Sequence, residues 1–318
     1  MRGVFLDFAT ISNNDVDTTR LDAALPTLEY HAVTRAGDLA ERVKSAEVIL
    51  TNKIALGEEV FAAAPDLDLI VLAATGTNNV DLEAAKENGI AVYNIRDYCT
   101  SSVVQHVYAL ILALTRHVRA YQRLLETSAW SNSPQFCMLD YPIRELDGKT
   151  LGVVGYGALG KAVADVAKAF GLRVVVARRP GEQDARDDRV SLEDLLGEAD
   201  IVSLHCPLTP ATEKLIGQAE LDLMKEDALL INTARGALVD EEALAMALRS
   251  GRLGGAGIDV LSEEPPAHGN PLLTGRIPNL IVTPHVAWAA REARQRAVDA
   301  MARNIEAFSQ GNDTNRVA

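Results

Sequence analysis

The chain has 318 residues, 48% of them hydrophobic, and a formal charge of −13 from 31 basic and 44 acidic side chains. That length suits about two domains with a core each, and so acidic a balance leaves no broad basic surface, which argues against nucleic acid and anionic membranes as partners. Cys99, Cys137 and Cys206 form no C-x-x-C pair, the N-terminus MRGVFLDFAT holds no signal-peptide core, and no apolar run reaches the roughly 18 residues of a membrane span, so a cytoplasmic protein with reduced thiols and no metal site is expected.

Short apolar stretches alternate with amphipathic ones from end to end, the pattern of parallel α/β sheets. The first half offers five strands at GVFLDF, EYHAV, EVILTN, LDLIVLAAT and IAVYNI, separated by helical segments such as Asp38 to Ser45 and Asp81 to Asn88. From Thr100 to Glu126 the segment TSSVVQHVYALILALTRHVRAYQRLLE holds neither Pro nor Gly and repeats apolar residues at helical spacing, which predicts one long helix capped by Thr100 or Ser101. The following SAWSNSPQFCMLDYPIRELDGK has two prolines and no period, and is either a lid or a crossing between domains. Six more strands follow at TLGVVG, RVVVA, DIVSLH, ALLINTA, GGAGIDV and LIVTPH. After His285, AWAAREARQRAVDAMARNIEAFSQG predicts an amphipathic helix with a Gly stop. It has no strand of its own to follow, so it should pack back on the first domain.

The strand LGVV runs into GYGALG, Gly155 to Gly160, and then into the helical KAVADVAKAFG. In that context the glycines carry a mechanism. Gly155 would permit the tight turn, Gly157 the approach of a pyrophosphate to the backbone, and Gly160 close packing of helix on strand, while the helix N-terminus offers free N–H groups to phosphate. Further on, LRVVVARRP ends a strand at Ala177 and sets Arg178 and Arg179 where an acid would bond a ribose 2′-hydroxyl; no carboxylate occurs from Lys168 to Gly181. Guanidinium groups pair with a 2′-phosphate and a carboxylate repels it, so the arginines favour NADP(H), with NAD(H) possible if they are only solvated strand-end residues. The acidic run DARDD reads as a solvated loop whose Arg186 would fringe the adenosine site.

Three polar residues follow successive strand ends on the side where open α/β sheets bind ligands: Arg235, Glu264 and His285. Hydride transfer between a nicotinamide and a carbonyl needs a proton donor, a group that tunes it, and a cation if the substrate carries a carboxylate. His285 would be the acid in reduction and the base in oxidation, Glu264 would orient its ring, and Arg235 would grip the substrate through its planar fork. Taken singly each has a plain structural explanation; together they point to catalysis. The other histidines lack metal-ligand spacing, and His106 and His117, inside the long helix, read as packing or interface residues.

The stretches ATGTNNVDLEAA, GKTLGVVGYGALGKAVA, HCPLTPATEKLI, LLINTARGALVDEEALAMAL, GAGIDVLSEEPP and TPHVAW cover nearly the whole chain, and by them the sequence resembles the D-isomer-specific 2-hydroxyacid dehydrogenase family, in its glycerate dehydrogenase (hydroxypyruvate reductase) branch. The resemblance implies an α/β protein of two doubly wound parallel-sheet domains separated by a cleft. Residues 1–100 with 287–318 would form a flavodoxin-like substrate domain and residues 101–286 a Rossmann cofactor domain, in a homodimer. It also implies roles by position. Arg235 would bind substrate, Glu264 support the histidine, and His285 be the acid/base; Asp259 would lie near the nicotinamide amide. Backbone around Thr75 and Gly76 would hold the substrate carboxylate. Ala158, Leu159, Cys206, Pro207, Thr212 and Thr233 would line the cofactor cleft, with Thr100 and Val104 approaching the nicotinamide. Trp288 would be either an aromatic pocket wall or the start of helix packing. The expected reaction is NADPH- or NADH-dependent reduction of a small 2-oxo acid such as hydroxypyruvate or glyoxylate. The competing class is a nucleotide-sensing corepressor on the same scaffold, against which the complete Arg, Glu and His set weighs.

Overall fold

The computed structural model describes residues 1–179 and 188–318, and the chain divides into two compact units: Met1–Cys99 with Trp288–Ala318, and Thr100–Ala287. All eleven expected strands form; nine lie within their stretches and are shorter, while the first (Arg2–Phe5) begins one residue before GVFLDF and the second (Thr27–Tyr30) begins two residues before EYHAV and shares only Glu29 and Tyr30 with it.

The first unit opens with β1 (Arg2–Phe5), α1 (Thr19–Ala24), β2 (Thr27–Tyr30), α2 (Ala36–Val43) and β3 (Val48–Thr51). It continues with α3 (Glu58–Ala63), β4 (Leu69–Leu72), α4 (Leu82–Glu87) and β5 (Ala91–Tyr93). The sheet is wholly parallel, in the order β2-β1-β3-β4-β5. VILT of β3 and LIVL of β4 are buried at every position, which is why these strands read as continuous apolar runs with no alternation.

In the second unit the segment expected as one helix is two, α5 (Thr100–Thr115) and α6 (Val118–Glu126). The break is at His117, whose backbone is left-handed at φ +49° and whose ring stacks on Tyr141 at 5.8 Å. Neither Gly nor Pro marks it, so local pattern is blind to it; a tertiary aromatic contact and the bond from Arg144 N–H to the Thr115 carbonyl (3.0 Å) hold the bend. Residues 128–149 carry no helix or strand, and Phe136 and Leu139 there are 90% and 81% exposed.

After this segment come β6 (Thr150–Val154), α7 (Ala158–Ala167), β7 (Arg173–Val176), α8 (Leu192–Glu198), β8 (Ile201–Leu204) and α9 (Gln218–Leu223). Then follow β9 (Leu229–Asn232), α10 (Glu241–Ser250), β10 (Gly255–Ile258) and β11 (Leu280–Val282). This sheet is also parallel, in the order β11-β10-β9-β8-β6-β7. The chain leaves β6 toward one edge and returns past it to β8, so the order reverses between these two strands, where such sheets open a ligand crevice at their carboxyl ends.

The last helix, α11 (Arg291–Ser309), belongs to the first unit, as expected: Ala297, Val298, Met301 and Ile305 share a core with Phe5, Ile11, Leu21, Val48 and Leu69. The tail beyond it adds to the sheet edge, with Val317 N–H bonding the Val92 carbonyl (2.8 Å) and Val92 N–H bonding that of Ala318 (3.2 Å). Arg294 fixes the helix through two 2.6 Å bonds to Asp15 and one to the Ile11 carbonyl. The guanidinium holds the Asp15 carboxyl far below its usual range. A depressed carboxylate contributes stability that is complete above its unfolded value and is lost as pH falls toward its folded one. Arg294→Gln should therefore lower the Tm at neutral pH, with the gap from wild type narrowing as the medium is acidified below about pH 4; a gap constant across a pH series of thermal melts would contradict the pairing. Among the described residues no helix is long and apolar enough to cross a membrane.

Candidate active site

Because every strand of the second sheet is parallel, the carboxyl ends of β6 to β11 lie along one edge, and the residues singled out in this half of the sequence follow those ends. At β6, Gly155 turns with φ +95°, and a Cβ there would sit 2.4 Å from Cys206 N, at the end of β8. The two loops at the reversal point touch, and only a glycine fits between them. A Cβ on Gly160 would sit 2.0 Å from the Gly155 carbonyl oxygen, so α7 packs hard against its own turn. Gly157 is the opposite case: it caps α7, no side chain caps the helix, and a Cβ there would meet nothing within 4 Å. Open space above Gly157, with the first-turn N–H groups of Ala158, Leu159 and Gly160 and the positive helix end beside it, makes a cradle that suits a diphosphate. At the end of β9 the Thr233 hydroxyl oxygen is buried with no hydrogen-bond partner, an orphan polar atom beside a strand end that a polar ligand would satisfy. Both features fit a bound dinucleotide.

Arg178 and Arg179 follow β7 and are exposed. Arg178 donates its backbone N–H to the Val190 carbonyl (2.9 Å) and its Nε to that of Arg189 (3.1 Å). Arg186 lies outside the described residues. After β8, burial pushes the Cys206 thiol up, as for a packing residue. The neighbouring His205 is pushed down to about 4 by burial and is neutral, with Nε2 at 2.8 Å from Ser203 Oγ. Pro207 is exposed; the Thr212 hydroxyl donates to its carbonyl (2.8 Å) and accepts from Thr209 N–H (2.8 Å), which stitches the 207–212 turn.

At the far strands two of the expected residues meet. His285 Nδ1 lies 2.6 Å from Glu264 Oε2, with the side chains 25% and 33% exposed, and Glu264 Oε1 accepts Leu261 N–H (2.8 Å). A carboxylate on Nδ1 fixes the ring and its tautomer. Arg235 is exposed on the turn after β9, which Asn232 shapes by accepting Ala234 N–H (3.0 Å) and donating to the Arg235 carbonyl (2.8 Å). A Cβ on the next residue, Gly236, would sit 1.9 Å from the Leu261 carbonyl carbon, so the turn bearing Arg235 presses directly on the loop bearing Glu264. Glu241 steadies that loop from α10, accepting Ser262 N–H (2.9 Å) and Asn270 Nδ2 (2.8 Å). Asp259, fully buried after β10, accepts the N–H groups of Val286 (2.9 Å) and Ala287 (2.8 Å), while His285 N–H bonds its carbonyl (2.7 Å). Thr100 opens α5 and Val104 is buried one turn on.

In the first unit Asp7, after β1, accepts Asn52 N–H (2.9 Å) and Lys53 N–H (2.7 Å) and so fixes the loop after β3. Thr75 and Gly76 follow β4 at the same edge of the sheet; the Thr75 hydroxyl donates to the Ile95 carbonyl (2.7 Å) and its carbonyl accepts from Asn94 Nδ2 (2.7 Å). Trp288 packs edge-on to Tyr98, ring centres 6.3 Å apart. Sequence reasoning missed Asn232, Gly236, Glu241 and the clamp by Asp259. The Arg-Gly dipeptide was a usable signal for the second; the others look like ordinary polar residues until the loops are folded. His106, read as a packing or interface residue, is largely enclosed and hydrogen-bonded to Thr283 at 3.0 Å.

Residues 108–287 match the family model of the D-isomer specific 2-hydroxyacid dehydrogenase, NAD binding domain. The chain belongs to that family. It is 46% identical over 289 residues, 91% of each chain, to glycerate dehydrogenase of Methylorubrum extorquens, and 37% identical to hydroxypyruvate reductase of Blautia hydrogenotrophica over 100% of this chain and 99% of the other. Among solved structures it resembles D-lactate dehydrogenase from Aquifex aeolicus complexed with NAD and lactic acid, with TM-score 0.83, 29% identity and 99% of each chain covered. The dehydrogenase is thus a nicotinamide-dependent oxidoreductase acting on small 2-hydroxy or 2-oxo acids, and its second unit is the Rossmann-type domain that binds the cofactor.

Proposed function

We propose that the enzyme reduces hydroxypyruvate or glyoxylate, to D-glycerate or glycolate, in the cytoplasm and with NADPH preferred over NADH. The observation that carries this reading is the 2.6 Å His285–Glu264 pair, on a loop against which the Arg235 turn is packed. Glu264 accepts the Nδ1 proton of His285 and holds the ring; His285 Nε2 gives its proton to the carbonyl oxygen as that oxygen gains negative charge, and takes it back in the oxidation. Arg235 pairs with the substrate carboxylate and polarises the carbonyl, and backbone N–H groups at Thr75 and Gly76 hold the carboxylate further. The bound nicotinamide supplies the hydride in reduction and accepts it in oxidation. Gly155, Gly157, Ala158, Leu159 and Gly160 hold its diphosphate. Cys206, Pro207, Thr212 and Thr233 line its remaining length, with Asp259, Thr100 and Val104 toward the nicotinamide. In this reading the first unit, Met1–Cys99 with Trp288–Ala318, serves the substrate. Two copies pair through their cofactor domains, which the exposed Phe136 and Leu139 support.

Arg178 and Arg179 are assigned to the 2′-phosphate of NADPH; their place after β7 and the lack of a carboxylate there support it. The test is a kinetic panel of hydroxypyruvate, glyoxylate and pyruvate with each cofactor, following loss of nicotinamide absorbance. Turnover on none of these acids would overturn the substrate reading. In the same assay Arg178→Asp should raise the KM for NADPH about tenfold to a hundredfold, the value of a charge-assisted phosphate contact, and move that for NADH much less. Equal effects on both would remove the assignment.

A further inference from the structure

We propose that His106 is a positioning residue for the reaction, setting the placement of His285 through a hydrogen-bond relay that runs from α5 through Thr283 and Asp259 to the backbone of residues 285–287. The proposal rests on the reading of His285 as the acid/base.

The direction of the relay follows from counting protons. Asp259 is enclosed by donors: Oδ1 accepts Val286 N–H at 2.9 Å and Oδ2 accepts Ala287 N–H at 2.8 Å. Thr283 Oγ1 lies 2.6 Å from Oδ1, and as a hydroxyl it has one proton, which goes to the carboxylate. With that proton committed, Thr283 Oγ1 can only accept, so His106 Nε2, 3.0 Å away, is the donor and carries hydrogen. Asp259 Oδ1 is the charged group it faces, at 3.5 Å, and both side chains are largely or wholly enclosed.

This relay matters because of the backbone it holds. His285 sits at φ +54°, a left-handed conformation that few non-glycine residues adopt, and it persists only if its surroundings enforce it. Asp259 provides that enforcement on both sides, through its carbonyl to His285 N–H (2.7 Å) and its carboxylate to the two N–H groups that follow. Ser102, one helical turn before His106 on the same face of α5, donates to the Ala287 carbonyl at 2.6 Å. The helix therefore grips the 283–287 segment at both ends. Glu264 orients the ring of His285, and His106 with Ser102 orients the backbone from which that ring projects. Without the His106 donor the Thr283 hydroxyl is free to turn its proton away from Asp259, and the carboxylate loses a partner in a setting where an unmatched charge is costly.

His106→Leu fills similar space without a donor, whereas His106→Gln keeps an N–H at comparable reach. The relay predicts that His106→Leu lowers kcat about tenfold to a hundredfold, as expected for a displaced proton donor, with little change in the KM for the oxo acid or in the Kd for NADPH. His106→Gln should recover most of that kcat. Nitrogen-15 NMR of histidine-labelled wild-type protein should show His106 Nε2 protonated. Full kcat in His106→Leu, an equal loss in His106→Gln, or a bare Nε2 would overturn the relay; if the leucine variant fails to fold, the glutamine variant and the NMR signal still decide. His285→Asn is measured alongside. Inactive His285→Asn with fully active His106→Leu sinks the relay alone, while an active His285→Asn sinks the acid/base reading beneath it.

Discussion

Replacing His285 by asparagine should lower kcat for 2-oxo acid reduction about a hundredfold to ten-thousandfold, the range for a general acid that has no substitute, while the Kd for NADPH measured by fluorescence stays near that of the wild type. Asparagine is the informative choice because it tolerates the left-handed backbone that residue 285 occupies at φ +54°, so chain strain is not added to the loss of the imidazole. In the wild type Glu264 is spoken for, its Oε2 lying 2.6 Å from His285 Nδ1 and its Oε1 accepting Leu261 N–H. The split between turnover and cofactor affinity separates this role from a folding defect. Wild-type turnover in the variant would end the acid/base assignment.

Alanine at Gly157 and at Gly160 should fail in opposite ways. At Gly160 the new methyl would sit 2.0 Å from the Gly155 carbonyl oxygen, a backbone atom that cannot swing aside, so α7 must lift from β6. Overpacking of that kind costs about 1–3 kcal/mol or more, and both Tm and cofactor binding should fall. At Gly157 the methyl enters empty space, and the backbone at φ −84° suits alanine, so the Tm should change little. Its methyl would occupy the cradle itself, however, and the Kd for NADPH should rise by about tenfold or more, equivalent to roughly 1.4 kcal/mol. A Gly157→Ala protein that melts and binds like the wild type would move the diphosphate away from this turn.

These contrasts also mark where local sequence stops being informative. Central strands such as VILT and LIVL were legible because a strand buried on both faces has to be an unbroken apolar run, whereas β2, TLEY, is exposed or half-buried along its length and its stretch EYHAV located it only in part. The glycine turn was legible because its spacing answers to one strand, one turn and one helix, all contiguous. The division of α5 from α6 was not: His117 is bent by a ring from residue 141 and a bond from residue 144, and no window around 117 contains either. The hydrogen bond of His106 was hidden for the same reason, since its partner Thr283 is 177 residues away.

From sequence alone came the fold class, the order of elements and the identity of the chemical groups, because apolar periodicity and residue type are properties of short stretches. Which of those groups touch was decided by the tertiary structure. Parallel strands bring distant loops to one edge, and there Gly236 presses on Leu261, Glu264 meets His285, and Asp259 closes on the segment that follows. Such contacts depend on the register of a whole sheet, and a hydrogen bond requires its partner at a definite distance, which residue type does not encode.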